Sequence, residues 1–376
     1  MRIGISLLGI ALCLFLMQAA ARFGFSRLLT RYALITHSVQ VADAAVQLTP
    51  SDPDAQRARA AALNLQQQHA DGALALESAT RLRYRDDRLW IELGNTREDL
   101  GDTTGALAAL DQSVRWAPYY AHTHWQRGNL LLRMNRTQEA FADLRYAATA
   151  NRKYFPNLID LAWGISKGDL KTTQSLVNIQ DDNERLALIR YLATKSFRDA
   201  FTLAHGSAAT SLINAGFEDP LMLNDVTFGW IVAPDQKSRL SIDASEHVEG
   251  TKSLRIVFDG NWTPGTPLLS QTIVVEPEKS YRISFAVKTK DVVTGGPPFI
   301  TARDATNDQL LGKTDNLPTA STQWFTMNFE FTTLKDSQAA IIRLERNNCD
   351  SAPCPIFGTL WLDQFRIEQT KPAIKQ

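Results

Sequence analysis

The chain is poor in the residues that mark several common chemistries. It has three cysteines and six histidines in 376 residues. The two neighbouring cysteines, Cys349 and Cys354, have no histidine nearby and make a poor zinc site. Forty basic residues balance forty acidic ones, so the chain lacks the positive excess with which nucleic-acid binders displace counterions, and this argues against a nucleic-acid partner. No H-E-x-x-H pair or P-loop occurs. His122 and His124 stand two apart, and on a helix such residues point to different sides and do not chelate together. Asp304, in "TARDATND", has no identifiable partner for the two-carboxylate chemistry of glycoside hydrolysis.

Long apolar runs are confined to the N-terminus. Arg2 precedes the run Ile3 to Met17, and Ala19-Ala20-Ala21 offers a small-residue cleavage site for a signal peptide over residues 1–21. The 19 residues from Ile3 to Ala21 also suffice to cross a hydrocarbon core about 30 Å thick as a retained anchor. Both readings stay open, and both deliver the chain to a membrane, with the remainder expected on the periplasmic or other extracytoplasmic side. Arg22, Arg27 and Arg31, just after the apolar run, oppose the usual charge bias. Cys13 lacks a small residue before it, which disfavours a lipoprotein. In an exported chain, Cys349 and Cys354 in "NNCDSAPCP" are expected to form a disulfide.

What is present divides near residue 207. In "LWIELGNTREDLGDTTGALAALDQSVRWAP", Trp90, Leu93, Gly94, Gly101, Ala106, Leu110, Ser113 and Pro118 mark a frame that returns at steps of 34. Gly94 maps to Gly128 and Ala60, Ala106 to Ala140 and Gly72, and Leu110 to Leu144, Leu76 and Ala42. Small residues recur where helix axes approach, and leucines where the pair buries its face. The pattern resembles the tetratricopeptide repeat, which implies a solenoid of about five helix pairs over residues 35–205, its last helix capping the array or packing on the next domain. The resemblance implies a concave groove for a protein partner, lined here by Arg88, Ile91, Asn95, Glu98, Asp99, His122, Trp125, Asn129, Leu132 and Arg133. Asn95 and Asn129 share one repeat position, as a carboxamide ladder for an extended peptide would require. Ile91 and Trp125 stand where the family's carboxylate clamp uses lysine, so no such clamp is expected.

After Gly206 the hydrophobic period falls to two. Segments such as "KSLRIVFDG", "SYRISFAVKTKD", "WFTMNFEFTT" and "GTLWLDQFRIEQ", separated by glycine and proline turns, predict an antiparallel sandwich. The expected fold class is therefore multidomain α + β: an all-α solenoid followed by an all-β jelly roll. The succession "INAGFEDP", "FGW", "EGTKSLRIVF", "QWFTMNFEFT", "GTLWLDQFRI" resembles carbohydrate-binding modules with a galactose-binding-like jelly roll over residues 211–369. That resemblance implies a structural calcium ion held by Glu218 and Asp363, with carbonyls of the Glu249–Lys252 turn completing the oxygen set.

Sugar binding needs aromatic planes and polar side chains. Tyr281, Trp324 and Trp361 read as core or rim by strand parity, while Trp230 and Phe299 are further candidates. Trp262, in the turn-rich "DGNWTPG", is the leading glycan contact, with Asn261, Gln271 and Arg303 as polar partners. The expected function is a non-catalytic envelope scaffold that binds a protein and glycan, in a combination resembling proteins of bacterial surface-polysaccharide assembly or export. A structural adaptor without sugar binding and a glycan-active enzyme with an unrecognised carboxylate pair are the rivals.

Overall fold

The computed structural model describes residues 2–207, 210–221, 228–233 and 239–370. Helices come first: α1 (Arg2–Thr36), α2 (Val39–Leu48), α3 (Pro53–Leu65), α4 (His69–Leu82), α5 (Asp87–Asp99), α6 (Thr103–Trp116), α7 (Ala121–Arg133), α8 (Thr137–Ala150), α9 (Phe155–Ile165), α10 (Leu170–Val177), α11 (Asp182–Ala193) and α12 (Phe197–His205). Strands follow: β1 (Ile231–Val232), β2 (Arg239–Asp243), β3 (Ser253–Asp259), β4 (Leu269–Val274), β5 (Ser280–Thr294), β6 (Pro298–Asp304), β7 (Leu310–Lys313), β8 (Phe325–Thr332), β9 (Ala339–Arg346) and β10 (Ile356–Thr370). The chain thus has the expected α-solenoid and β-sandwich order.

Within the array, the 34-step frame is a packing rule. A Cβ added at Gly94 would stand 2.9 Å from Leu110 Cγ, and one at Gly128 would stand 2.8 Å from Leu144 Cγ. Leu110 and Leu144 are buried because the facing helix carries nothing there. Aspartates at equivalent steps, Asp52 and Asp86, accept a backbone N–H at the starts of α3 and α5, satisfying one of the donors each helix leaves open.

The array begins earlier than residue 35. One further step back from Ala60 reaches Ser26, which is fully buried and donates to the Ala45 carbonyl at 3.0 Å. Ser26 also bonds Thr49, and Thr30 and Ala33 on the same face of α1 are buried. The C-terminal part of α1 is therefore the first helix of a repeat, and the N-terminal apolar segment runs into it without a break.

The chain separates into two compact units, Met1–Asn178 and Ile179–Gln376. The α11–α12 hairpin belongs to the second unit, so the division falls before the one read near residue 207. The reason is apolar: α12 lies against β4, and Phe201 meets the ring of Phe228 edge-on at 5.2 Å.

Two five-stranded antiparallel sheets form the sandwich, ordered β1-β4-β9-β6-β7 and β2-β3-β10-β5-β8. Leu254, Ile256 and Phe258 of β3, Ile283 and Phe285 of β5, Ile300 and Ala302 of β6, and Ile342 and Leu344 of β9 share one core. Alternate residues leave it by the period-two rule. In β10 that rule is interrupted: register shifts at Phe357/Thr359 and Asp363/Arg366 reset the parity. Leu360, Leu362 and Phe365 all enter the core, while Trp361 faces away. The expectation that Trp361 and Phe365 share a face fails at this bulge.

Trp361 pairs across strands with Arg255 and Lys288 and lies beneath both cations, 5.8 and 5.6 Å from its ring. Its Nε1 donates to Asp243 Oδ2 at 3.0 Å, and Ser245 donates to Asp243 Oδ1 through both N–H and O–H. Burial alone would raise the Asp243 carboxyl, but the bonds from Ser245 and Trp361 and the charge of Arg255 outweigh it and lower it from 3.8 to about 2.

Two outcomes follow. Gly128→Val should lower the stability of the first unit by about 2 kcal/mol in urea unfolding, through overpacking. Gly164→Ala, where the added carbon meets nothing within 4 Å, should stabilise it by up to about 1 kcal/mol, since alanine favours the helix. In the second unit, a carboxyl whose folded value lies below its unfolded one stabilises above the unfolded value and loses that contribution as pH falls through the folded one. The melting midpoint of this unit should therefore drop between pH 3.8 and about 2, and Asp243→Asn should flatten that part of the profile.

Candidate functional site

The face of β6 and β9 turned away from the core gathers the polar side chains best placed to meet a ligand. Phe299, Thr301 and Arg303 alternate along β6 with the core residues Ile300 and Ala302. On β9 the corresponding residues are Ile341, Arg343 and Glu345. Cross-strand register sets Ser270, Arg343, Thr301 and Lys313 in one row, and Glu345 beside Phe299 in another.

These charges are already paired. Arg303 Nε lies 3.2 Å from Glu345 Oε1, and its Nη1 donates to the Asp308 carbonyl at 3.0 Å. Arg343 Nη1 reaches Asp308 Oδ1 at 2.7 Å. Lys313 stands over the Phe299 ring at 5.6 Å. Beneath them the Thr301 hydroxyl is buried with no hydrogen-bond partner. Planar guanidinium and carboxylate groups held in one network present donors and acceptors in fixed positions.

Arg303 is therefore well placed, but its three expected companions are elsewhere. Trp262 is 1% exposed. Its indole stacks on Phe258 at 5.6 Å, donates from Nε1 to the Thr266 carbonyl at 2.9 Å, and lies 5.9 Å from the Arg346 guanidinium. The loop folds back over the core, so the ring is a packing element and is not available to a sugar. Gln271 points inward on β4, fully buried, and donates to the Ile213 carbonyl at 2.7 Å; it fastens the incoming chain. Asn261 is exposed but follows β3, in the other sheet, and its side chain returns to Asp259. Of the other aromatic candidates, Tyr281 and Trp230 are core residues, and only Phe299 joins Arg303.

Arg346 explains the rigidity of the Trp262 loop. Its buried guanidinium donates to the carbonyls of Trp262 and Gly296 and to Thr294 Oγ1. Burial among neutral acceptors pulls its pKa below the usual arginine range. The Cys349–Cys354 disulfide is formed, and Cys354 Sγ lies 3.0 Å from Arg346 Nη2.

Glu218 and Asp363 converge on one turn, but that turn presents N–H groups. Glu218 accepts from Thr251 N at 2.8 Å, Thr251 Oγ1 at 2.7 Å and Lys252 N at 3.2 Å. Its carboxyl is held below the ordinary value, first by the Thr251 hydroxyl and then by the backbone. Asp363 is fully buried and accepts from Val248 N, Glu249 N and Gln364 N. The oxygen set expected for calcium requires carbonyls aimed inward. No group of three or more His, Cys, Asp or Glu suited to a metal ion occurs among the described residues. The two carboxylates do not fit a calcium site as arranged; they cap the turn from either end. Gly250 makes this approach feasible: its φ is 72°, and a Cβ there would stand 2.0 Å from Glu218 Oε1.

In the array, Arg88, Ile91, Glu92 and Asn95 of α5 line a cavity of about 360 Å³ with Tyr120, His122 and Gln126. Arg88 and Asn95 are exposed at its wall. The carboxamide ladder is not formed, because Asn129 donates to the Trp125 carbonyl of its own helix. Trp125 stacks on Tyr154 at 4.7 Å, and Arg133 is ion-paired to Glu98. The groove residues missed by the sequence frame are Glu92, Tyr120 and Gln126, which precede or flank the expected positions. His124 is structural, with Asp143 Oδ1 and the Pro118 carbonyl each 2.9 Å from a ring nitrogen.

Comparison with known proteins finds a family model within the second unit. Residues 209–351 match the family described as "Carbohydrate binding domain". No curated protein matches. Among solved structures, a tetratricopeptide protein called YrrB, described as having an unusual peptide-binding site, is 17% identical with a TM-score of 0.34, covering 46% of this chain and 90% of that one. A structure described under "CBM4 structure and function" is 17% identical with a TM-score of 0.32, covering 43% and 100%. The CBM22-1 xylan-binding domain of Paenibacillus barcinonensis Xyn10C is 15% identical with a TM-score of 0.29, covering 42% and 94%. The chain joins a tetratricopeptide-like helical array to a jelly roll similar to carbohydrate-binding modules.

Proposed function

We propose that the protein is a non-catalytic adaptor of the cell envelope, retained in the membrane by residues 3–21, that holds a protein segment in the α5–α7 groove and glycan on the β6–β9 face. The observation that carries the glycan reading is the paired network Arg303–Glu345–Arg343–Asp308 beside Phe299. An apolar ring with fixed polar groups on one sheet face is what a saccharide needs: stacking for its C–H surface and bidentate partners for its hydroxyls. The disulfide supports an extracytoplasmic setting. A place in surface-polysaccharide assembly or export is consistent with a tethered glycan-binding adaptor.

The enzyme reading has weaker support. Glu345 and Asp308 are each engaged by arginine, as members of one ion-pair network.

The test is glycan-array binding by the full chain. Arg303→Ala and Phe299→Ala should each weaken binding about tenfold, the loss of one good polar or stacking contact, with the melting midpoint little changed. Trp262→Ala should instead cost about 3–5 kcal/mol of stability by leaving a core cavity. Wild-type affinity retained in both face variants, or turnover of the bound glycan, would refute the proposal. For the turn, a chelator should leave the melting midpoint of the second unit unchanged and Gly250→Ala should lower it; a rise with added calcium would show that the carboxylates serve an ion.

A further inference from the structure

The N-terminal helix has one face that the array leaves uncovered. Ser26, Thr30 and Ala33 of α1 are buried toward α2 and α3. On the opposite side Phe25, Leu28, Tyr32 and Ile35 are 57%, 65%, 54% and 77% exposed. At about 100° per residue these four form a stripe roughly opposite the buried face. The stripe continues the apolar surface of the helix from Leu12 onward, a stretch long and apolar enough to cross a membrane.

Arg27 and Arg31 lie between the stripe and the array. With Thr30, Leu34, Asp54 and Arg57 they line a cleft of about 210 Å³. The other charges there are satisfied locally, since Asp54 accepts both Arg83 nitrogens and Arg57 grips Glu92. No hydrogen bond or ion pair among the described residues engages Arg27 or Arg31. The Asp54 carboxyl is held low, first by the Arg83 bond and in part by the charges of Arg27 and Arg57, as a positive cleft requires. Arg27 follows Ala21 by six residues, about 9 Å along the helix, within side-chain reach of the phosphate layer bordering a hydrocarbon core that ends there. Arginines directly after an exported anchor oppose the usual charge bias; an anion held by them accounts for their presence.

We propose that the first repeat binds anionic phospholipid: headgroup phosphate enters the cleft at Arg27 and Arg31 while the Phe25–Leu28 edge meets the acyl boundary. This rests on the reading that residues 3–21 stay in the bilayer. The array then leans on the headgroup layer and does not hang from a free tether.

The experiment uses the full chain in neutral detergent, its N-terminus checked by intact mass, titrated with fluorescent phosphatidylglycerol or phosphatidylcholine. The wild type should prefer phosphatidylglycerol at least about tenfold, as expected for one or two charge-assisted contacts, and salt should weaken the preference. Arg27→Gln/Arg31→Gln, both exposed positions, should abolish the preference with an unchanged melting midpoint. Equal affinity of the wild type for both lipids would overturn the proposal, as would a double variant that keeps the preference. Displacement by millimolar inorganic phosphate would assign the cleft to a free anion and also overturn it. A chain trimmed at Ala21 would defeat the anchor reading alone; phosphatidylglycerol vesicles offered to that trimmed chain would still decide the cleft.

Discussion

Two helices can bury a leucine between them only if one of them leaves a side chain out. Here the omission is made at Gly94 and Gly128, against Leu110 and Leu144. The same step reaches Ala60 and Ser26. Close approach then dehydrates the paired faces, and each added pair buries the face its predecessor exposes. Because the frame extends to Ser26, the apolar N-terminal helix and the first repeat are one element. An α-helix does not bend freely, so whatever holds residues 3–21 also orients the start of the array.

The sandwich solves a different difficulty, that of holding long loops without a helix to lean on. It does so with two buried charges, Arg346 and Asp363, and the half-buried Glu218, satisfied by backbone and hydroxyl groups. Arg346 gathers two loops through carbonyls and a hydroxyl, and Glu218 and Asp363 gather the turn between them through N–H groups. Each such group would be costly if left unpaired, so the loops are fixed by the penalty for letting go.

The periodic parts of this molecule were legible in its sequence, and the non-local parts were not. Repeats and strands announce themselves because a period of 34 or of two is written along the chain. Trp262 misled because its loop composition is that of a surface turn, whereas its burial depends on Phe258 and on Arg346, 84 residues away. Trp361 misled because one bulge at Asp363–Arg366 resets the parity that the alternation seems to carry. Glu218 and Asp363 do converge, as the resemblance implied, but a sequence does not say whether a turn offers its carbonyls or its amides. Arg303 was legible only as a polar residue on a strand; its partners Glu345 and Asp308 come from another strand and a loop.

Weak sites suffice in such an arrangement. The β6–β9 face has already paired its charges, so a saccharide exchanges one set of hydrogen bonds for another and gains little net energy from each. What the network supplies is geometry: side chains that do not have to be ordered on binding. If the chain is tethered as proposed, position supplies the affinity, since a glycan emerging at the membrane would meet the face at an effective concentration of about millimolar. A millimolar site is then half filled without any deep pocket, and its ligand is released as soon as the chain moves on. On the proposed reading, an adaptor that must pass glycan along is better served by a pre-paired sheet face than by an enclosed cleft that would have to reopen for each release.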